Sequence, residues 1–215
     1  MNTDKKLTDE WMLSYAAGAL TEGHALMVAS HLAYHEDLQQ SVADAEAIGG
    51  ALLDTLEPAD LRSDLLEQVL EGLDRAPARE IPVVNKSSGI APQPLVDYLG
   101  CELDQLKWRI MGPGMRNVRL WNGPADERLW LLRARGGAAV PEHGHNGDEW
   151  TLVLQGAYTA VDKKFVVGDI ETADDEVIHQ PLIDDGQECI CLVLTHGPIR
   201  FKSPVAKMLQ PLIGL

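Results

Sequence analysis

The 215-residue chain has three cysteines, Cys101, Cys189 and Cys191, and none of them lies in a Cys-x-x-Cys pair. Neither a disulfide framework nor a cysteine zinc knuckle is therefore indicated. Cys189 and Cys191 alternate along an apparent strand, pointing the same way about 6.6 Å apart, a geometry poor for a disulfide. They read as two small buried thiols on one strand face. Basic residues are scarce too: 18 Lys and Arg stand against 33 Asp and Glu, for a net charge of -15. That balance argues against direct binding of nucleic acid or of an anionic membrane surface. Aromatics make up only 5% of the chain, and no apolar run approaches the roughly 20 residues of a spanning helix. Met1-Asn-Thr-Asp-Lys-Lys6 has no apolar region behind it, so the expected location is the cytoplasm.

What is present divides the chain in two. Residues 1–75 hold 15 acids against 4 bases, leaving 18 acids and 14 bases for the rest. The acidic third has helical texture throughout. Thr8 is placed as an N-cap, with Asp9 and Glu10 in the first turn and Leu7 and Met12 spaced as a hydrophobic staple. Thr21 opens a second helix with Leu26, Val28, Ala29 and Leu32 as core positions. A third carries Leu38, Val42, Ala45, Ile48, Leu52 and Leu56 as one stripe, with a kink or break expected at Gly49-Gly50. Asp60 is read as the cap of a fourth, amphipathic helix bearing Leu61, Leu65, Leu66, Val69, Leu70 and Leu73.

Pro77, Pro82, Pro92 and Pro94, with Ser87-Ser88-Gly89, mark residues 76–95 as an interdomain linker. Beyond it the period changes. Short apolar or alternating runs at 106–110, 118–121, 129–134, 151–154, 165–167 and 189–195, separated by Gly, Pro, Asn and Asp, predict a β-sandwich or barrel of the jelly-roll kind. The expected fold class is α+β and multidomain: a small helical bundle over 1–75, then a β-barrel over 96–215.

The chemistry concentrates between Gly137 and Gly156. On an extended strand His143 and His145 share a side, and Glu149, after the Asn146-Gly147 turn, folds back toward them. Two imidazoles and a carboxylate suit Zn, Fe(II), Mn or Ni. A fourth ligand must come from another strand, and His179 is the candidate.

Gly137, five residues, His143-x-His145, three residues, Glu149, six residues, Gly156 resembles in full the first motif of the cupin superfamily. The second motif is met in part: Gly168-Asp169 begins it and His179 falls at its ligand place, while Asp174, Glu176 and Ile183 depart from it. The resemblance implies a small β-barrel holding one divalent metal on His143, His145, Glu149 and His179, with zinc as the expected ion. The stretch Leu13 to Leu32 resembles the N-terminal part of the ChrR family, in which a helical anti-sigma domain precedes a cupin domain. That resemblance implies a regulator that sequesters an extracytoplasmic-function (ECF) sigma factor through its helices and releases it on an oxidative, singlet-oxygen-like signal sensed by the cupin. The leucine stripe from Leu61 to Leu73 is the expected partner face, and a homodimer through the cupin is the expected self-association.

The family's helical domain carries His-x-x-x-Cys-x-x-Cys and an upstream His as zinc ligands. Here the run is His31-Leu-Ala-Tyr-His35-Glu-Asp-Leu38, with Lys5-Lys6 at the upstream place. Leu38 cannot ligate, so His31 and His35 are a degenerate pair not expected to hold zinc. The alternative function is a cupin metalloenzyme, a dioxygenase-like Fe(II) protein whose helices serve assembly. Glu142 and Asp148 flank the ligands as acid or base candidates for it, though such residues beside a turn are more often solvated.

Overall fold

A computed structural model describes residues 5–75 and 89–202. Among the described residues five helices, α1 (Asp9–Ala16), α2 (Glu22–Leu32), α3 (Glu36–Leu53), α4 (Leu65–Arg75) and α5 (Gln93–Leu99), accompany twelve strands. The strands are β1 (Arg109–Gly112), β2 (Met115–Asn122), β3 (Glu127–Ala134), β4 (His143–Gly144), β5 (Glu149–Gln155), β6 (Ala157–Ala160), β7 (Lys163–Val166), β8 (Ile170–Ala173), β9 (Ile178–His179), β10 (Leu182–Ile183), β11 (Cys189–His196) and β12 (Arg200–Phe201). A six-stranded sheet of order β1-β2-β3-β11-β5-β8 is accompanied by two three-stranded sheets, β10-β6-β7 and β12-β4-β9.

Local signals set most of the helix ends. Thr8 is the N-cap of α1 by its extended backbone but its side chain makes no capping bond, and Leu7 and Met12 are both buried as a staple requires. The Thr21 side chain accepts the His24 backbone N–H and caps α2. Three expectations need correction. Helix α3 runs unbroken through Gly49-Gly50. Each glycine costs about 1 kcal/mol against alanine, but the alanines and leucines on both sides sustain an 18-residue helix, and no neighbour within 4 Å crowds either glycine. Of the stripe on α3 only Leu38 and Val42 are buried, and Ile48, Leu52 and Leu56 are exposed. Helix α4 begins at Leu65 rather than after Asp60, so Leu61 lies ahead of it. There Asp64, Arg62 and Gln68 bond to one another and form the start of the helix.

Residues 76–88 of the segment read as linker lie outside the described residues. Residues 89–95 are folded: Pro92 is the N-cap of α5, Pro94 sits in its first turn, and Ala91 and Leu95 are buried. Proline suits that position because its missing N–H would be unpaired there in any helix. The run 106–110 becomes strand only from Arg109.

Through β3, β5 and β11 both faces of the large sheet are buried, and these strands alternate accordingly. Trp130, Leu132 and Ala134 of β3, Val153 of β5, and Cys189, Cys191 and Val193 of β11 join one core with Tyr158, Phe165 and Phe201 of the smaller sheets. Leu129 and Leu131, Trp150, Leu152 and Leu154, and Ile190, Leu192 and Leu194 point the other way. They share a second core with Met12 of α1, Leu26, Met27, Val28 and Leu32 of α2, Leu38 and Val42 of α3, and Leu95 and Val96 of α5. The helices therefore pack on one another, α1 against α3 above all, and close their small bundle against the sheet. Helices as short as α1, α2 and α5, of 8, 11 and 7 residues, are marginal alone, and each leucine or methionine buried against the sheet contributes about 1.5–3 kcal/mol.

Two polar patches fix this docking. At the turn after β7, the Lys5 carbonyl accepts the Ile170 N–H, Lys5 pairs with Asp169 at 3.1 Å, and His35 Nε2 donates to the Gly168 carbonyl at 2.9 Å. At the start of α2, Gly23 passes so close to the sheet that a Cβ there would lie 2.7 Å from Glu127 Oε1 and 2.8 Å from Leu194 Cδ1. Gly23→Ala should therefore lift α2 from the barrel and destabilise the protein by about 1–3 kcal/mol in urea unfolding. An unchanged midpoint would contradict this packing.

Candidate metal centre

The pairing of short strands assembles the site. Strands β4 and β9 set His143 directly opposite His179, and β11 sets Thr195 opposite Glu149 at the head of β5. His145 follows one residue after β4 on the same side as His143. Gly137 and Gly156, the outer glycines of the motif, have φ of +73° and +71°, a backbone that side chains disfavour. At Gly156 a Cβ would also meet the Glu188 carbonyl at 2.5 Å.

His143, His145, Glu149 and His179 are all buried, and one donor atom from each lies within 4.8 Å of the others. His179 Nε2 is 3.1 Å from His143 Nε2 and 3.2 Å from His145 Nε2, and Glu149 Oε1 is 3.6 Å from His179 Nε2. Donors around a tetrahedral ion at 2.0–2.1 Å stand about 3.3 Å apart. The tautomers agree with this. His143 Nδ1 donates to the Pro141 carbonyl at 2.8 Å and His179 Nδ1 donates to Glu171 Oε1 at 3.1 Å, so both Nε2 atoms face the cluster centre. Three imidazole nitrogens and a carboxylate oxygen converging at these distances fit a divalent metal.

The electrostatics point the same way. Burial opposes ionisation of Glu149, yet hydrogen bonds from His143 and His179 overcome it and hold the carboxyl well below its usual range. Burial also works against charge on His179, but Glu149 and Glu171 outweigh it and raise that imidazole to about 9. A pocket with this field favours positive charge.

Glu171 and Tyr158 were not anticipated from the sequence. The Tyr158 hydroxyl donates to Glu171 Oε2 at 2.7 Å while Glu171 Oε1 orients His179, a carboxylate–histidine pair of the kind that fixes metal ligands. The available signal was an acid inside the otherwise uncharged strand Ile170–Ala173. Above the ligands lies a cavity of about 230 Å³ whose walls include Met111, Met115, Trp130, Tyr158 and Cys191. Cys189 and Cys191 are free thiols whose sulfurs are 3.6 Å apart on one buried strand face. Glu142 and Asp148 are exposed, and Glu142 pairs with Lys202 at 2.7 Å.

The His31 and His35 rings do lie together, with centroids 4.4 Å apart. Their Nε2 atoms are engaged elsewhere, His31 accepting the Leu7 N–H at 3.4 Å and His35 bonding Gly168. Leu38 is buried, and Lys5 and Lys6 pair with Asp169 and Asp37. His24 of the same helix points to Glu127. On the partner stripe, Leu61, Leu66, Val69, Leu70 and Leu73 are all exposed, Leu65 is partly buried, and none belongs to either core.

The barrel and its three-histidine, one-glutamate cluster define a cupin, here with helices docked on the outer sheet. Residues 97–200 match the family model described as the ChrR Cupin-like domain. The chain is 40% identical over 205 residues to the anti-sigma-E factor ChrR of Cereibacter sphaeroides, covering 95% of both. It also resembles the ChrR chain in the crystal structure of Rhodobacter sphaeroides SigE in complex with the anti-sigma ChrR, with a TM-score of 0.76 and 38% identity over 88% of this chain and 97% of that one. The chain belongs to the ChrR family of anti-sigma factors, which supports the regulator reading over the enzyme.

Desolvation, with His35 beside it, holds His31 down to about 4, whereas an unfolded histidine titrates near 6.5. The unfolded chain thus takes up this proton first as pH falls. The stability contributed is intact above about 6.5 and lost as the pH falls toward 4. Between pH 7 and 4.5 the wild type should lose about 2 kcal/mol more than His31→Gln in urea unfolding. Equal losses would show that His31 does not titrate as its burial requires.

Proposed function

We propose that this chain holds an ECF sigma factor through its N-terminal helices and releases it when an oxidative, singlet-oxygen-like signal reaches the metal-bound barrel. The carrying observation is an apolar ridge left exposed among the described residues. Ile48, Leu52, Leu53 and Leu56 at the end of α3, then Leu61, Leu66, Val69, Leu70 and Leu73 along α4, each expose more than half of their surface. Apolar surface gathered in this way, outside both cores, marks an interaction site. Glu67 and Glu71 lie exposed beside it, and the acidic first third complements the basic, polymerase- and DNA-binding surfaces of a sigma factor. The relative named above as SigE's partner in a crystal supports this reading. Residues 1–75 are assigned the sigma-binding role and 96–215 the sensing role, in the cytoplasm where RNA polymerase works.

The ion assigned to His143, His145, Glu149 and His179 is zinc, which suits imidazole-rich ligation. Bound there it would tie β4 and β9 to β5 and polarise what enters the cavity above it. Tyr158 and Glu171 hold the His179 ring in its ligating tautomer and close the space behind it.

Two outcomes test this reading. In a co-purification titration against the cognate sigma factor, Leu66→Asp should weaken binding about 30-fold or more, while Glu67→Gln changes it only a few-fold. Equal effects would remove the ridge from the account. In metal analysis His143→Ala should lose the barrel zinc, and Glu171→Gln should weaken its affinity about 10–100-fold. Full retention of zinc by His143→Ala would refute the ligand set.

A further inference from the structure

A second group of metal-type donors lies away from the barrel pocket, on the seam between α2 and the large sheet. His24 of α2, Glu127 at the start of β3 and His196 at the end of β11 each bring one ligand atom within 4.8 Å of the others. The register of β3 and β11 sets Glu127 directly opposite His196, and the docking of α2 lays His24 over the pair. His24 Nδ1 is 3.1 Å from Glu127 Oε1, and the His24 and His196 rings are 5.2 Å apart.

The site is built rather than incidental. Glu127 is 1% exposed and His24 8%. The His24 ring is stacked on Trp11 and meets the edge of Trp150, at centroid distances of 5.4 and 4.8 Å, so its direction is fixed. The turn that delivers Glu127 holds Ala125 and Asp126 at φ of +54° and +59°, a conformation that costs non-glycine residues free energy. The Gly197 N–H bonds to the Asp126 carbonyl and anchors that turn beside His196. Thr21 donates to Glu127 Oε1 at 2.6 Å. A carboxylate offers about four lone-pair positions, so it can accept that bond and still ligate. Desolvation holds His24 below its ordinary value, which favours the neutral imidazole that a metal requires. One buried carboxylate needs a single imidazole for a salt bridge. The second completes a two-histidine, one-carboxylate set of the type that takes zinc, cobalt(II) or iron(II).

We propose that His24, Glu127 and His196 form a second divalent-metal site that clamps α2 to the barrel. It is distinct from the barrel pocket and from the His31–His35 pair, and it does not depend on the sigma-binding reading. Because one ligand comes from the helical unit and two from the barrel, occupancy would strengthen the docking of one on the other.

The test is a titration of the full-length chain, stripped with a chelator, with Zn²⁺ and then Co²⁺, read by native mass spectrometry, equilibrium dialysis and the visible cobalt absorption. The wild type should take up two ions. His24→Gln and His196→Asn should each weaken one of the two by at least tenfold and leave the other, while His31→Gln keeps both. His196 is only half-buried, so His196→Asn should retain the wild-type fold, checked by circular dichroism. His143→Ala should lose the other ion and keep this one, which separates failure here from failure of the barrel ligand set. A single ion in the wild type, two undiminished ions in both His24→Gln and His196→Asn, or loss of the second ion in His31→Gln would overturn the proposal.

Discussion

Burial of both faces of one six-stranded sheet is the constraint on which the rest of the molecule depends. Its central strand, Cys189–His196, sends Cys191 and Val193 toward the metal pocket and Ile190, Leu192 and Leu194 toward the helices. A one-residue slip would exchange those sets and empty both sides, so the register of this strand fixes the pocket and the helix seat together. The neighbouring strand has the same duty: Glu149 enters the ligand cluster, and the next residue, Trp150, packs on Trp11 and His24. Pocket and helices are opposite sides of the same backbone. Displacement of Glu149 therefore moves a residue of the helix seat without any further intermediary.

The helices spend their apolar surface unequally on that seat. Helices α1 and α2 and the first half of α3 are consumed by it, and among the described residues most apolar positions of the second half of α3 and of α4 stay exposed. A helix with five apolar positions in eleven residues, four of them more than half exposed, stands to gain stability from a partner laid on that face. Its carboxylates keep the exposed ridge soluble and set the sign of the field that a basic partner meets.

Much of this was legible in the sequence where the signal was local. The convergence of His143, His145, Glu149 and His179 could be read because three of them fall within seven residues on one turn, and the fourth lies at a motif position. The change of period after the proline-rich segment marked the barrel. What escaped depended on pairing across the chain. Nothing near Glu127 shows that it will stand opposite His196, 69 residues on, beneath a helix from the N-terminus, and Glu171 likewise gains meaning only from its contact with His179. The uninterrupted apolar runs 129–132 and 189–194 carried the missing information about the helices, since a sheet with one wet face would alternate with polar residues. The Gly49-Gly50 break failed for the opposite reason: a local propensity of about 1 kcal/mol per residue yields to the helix around it.

The central claim is that the ridge from Ile48 to Leu73 meets the sigma factor while the seam between helices and barrel stays closed. Hydrogen exchange by mass spectrometry, comparing the free chain with its complex with the cognate sigma factor, tests it most directly. The account predicts new protection across residues 48–73, with that of 129–132 and 190–194 undiminished. Unchanged exchange over 48–73, or protection appearing instead around the barrel cavity, would contradict it.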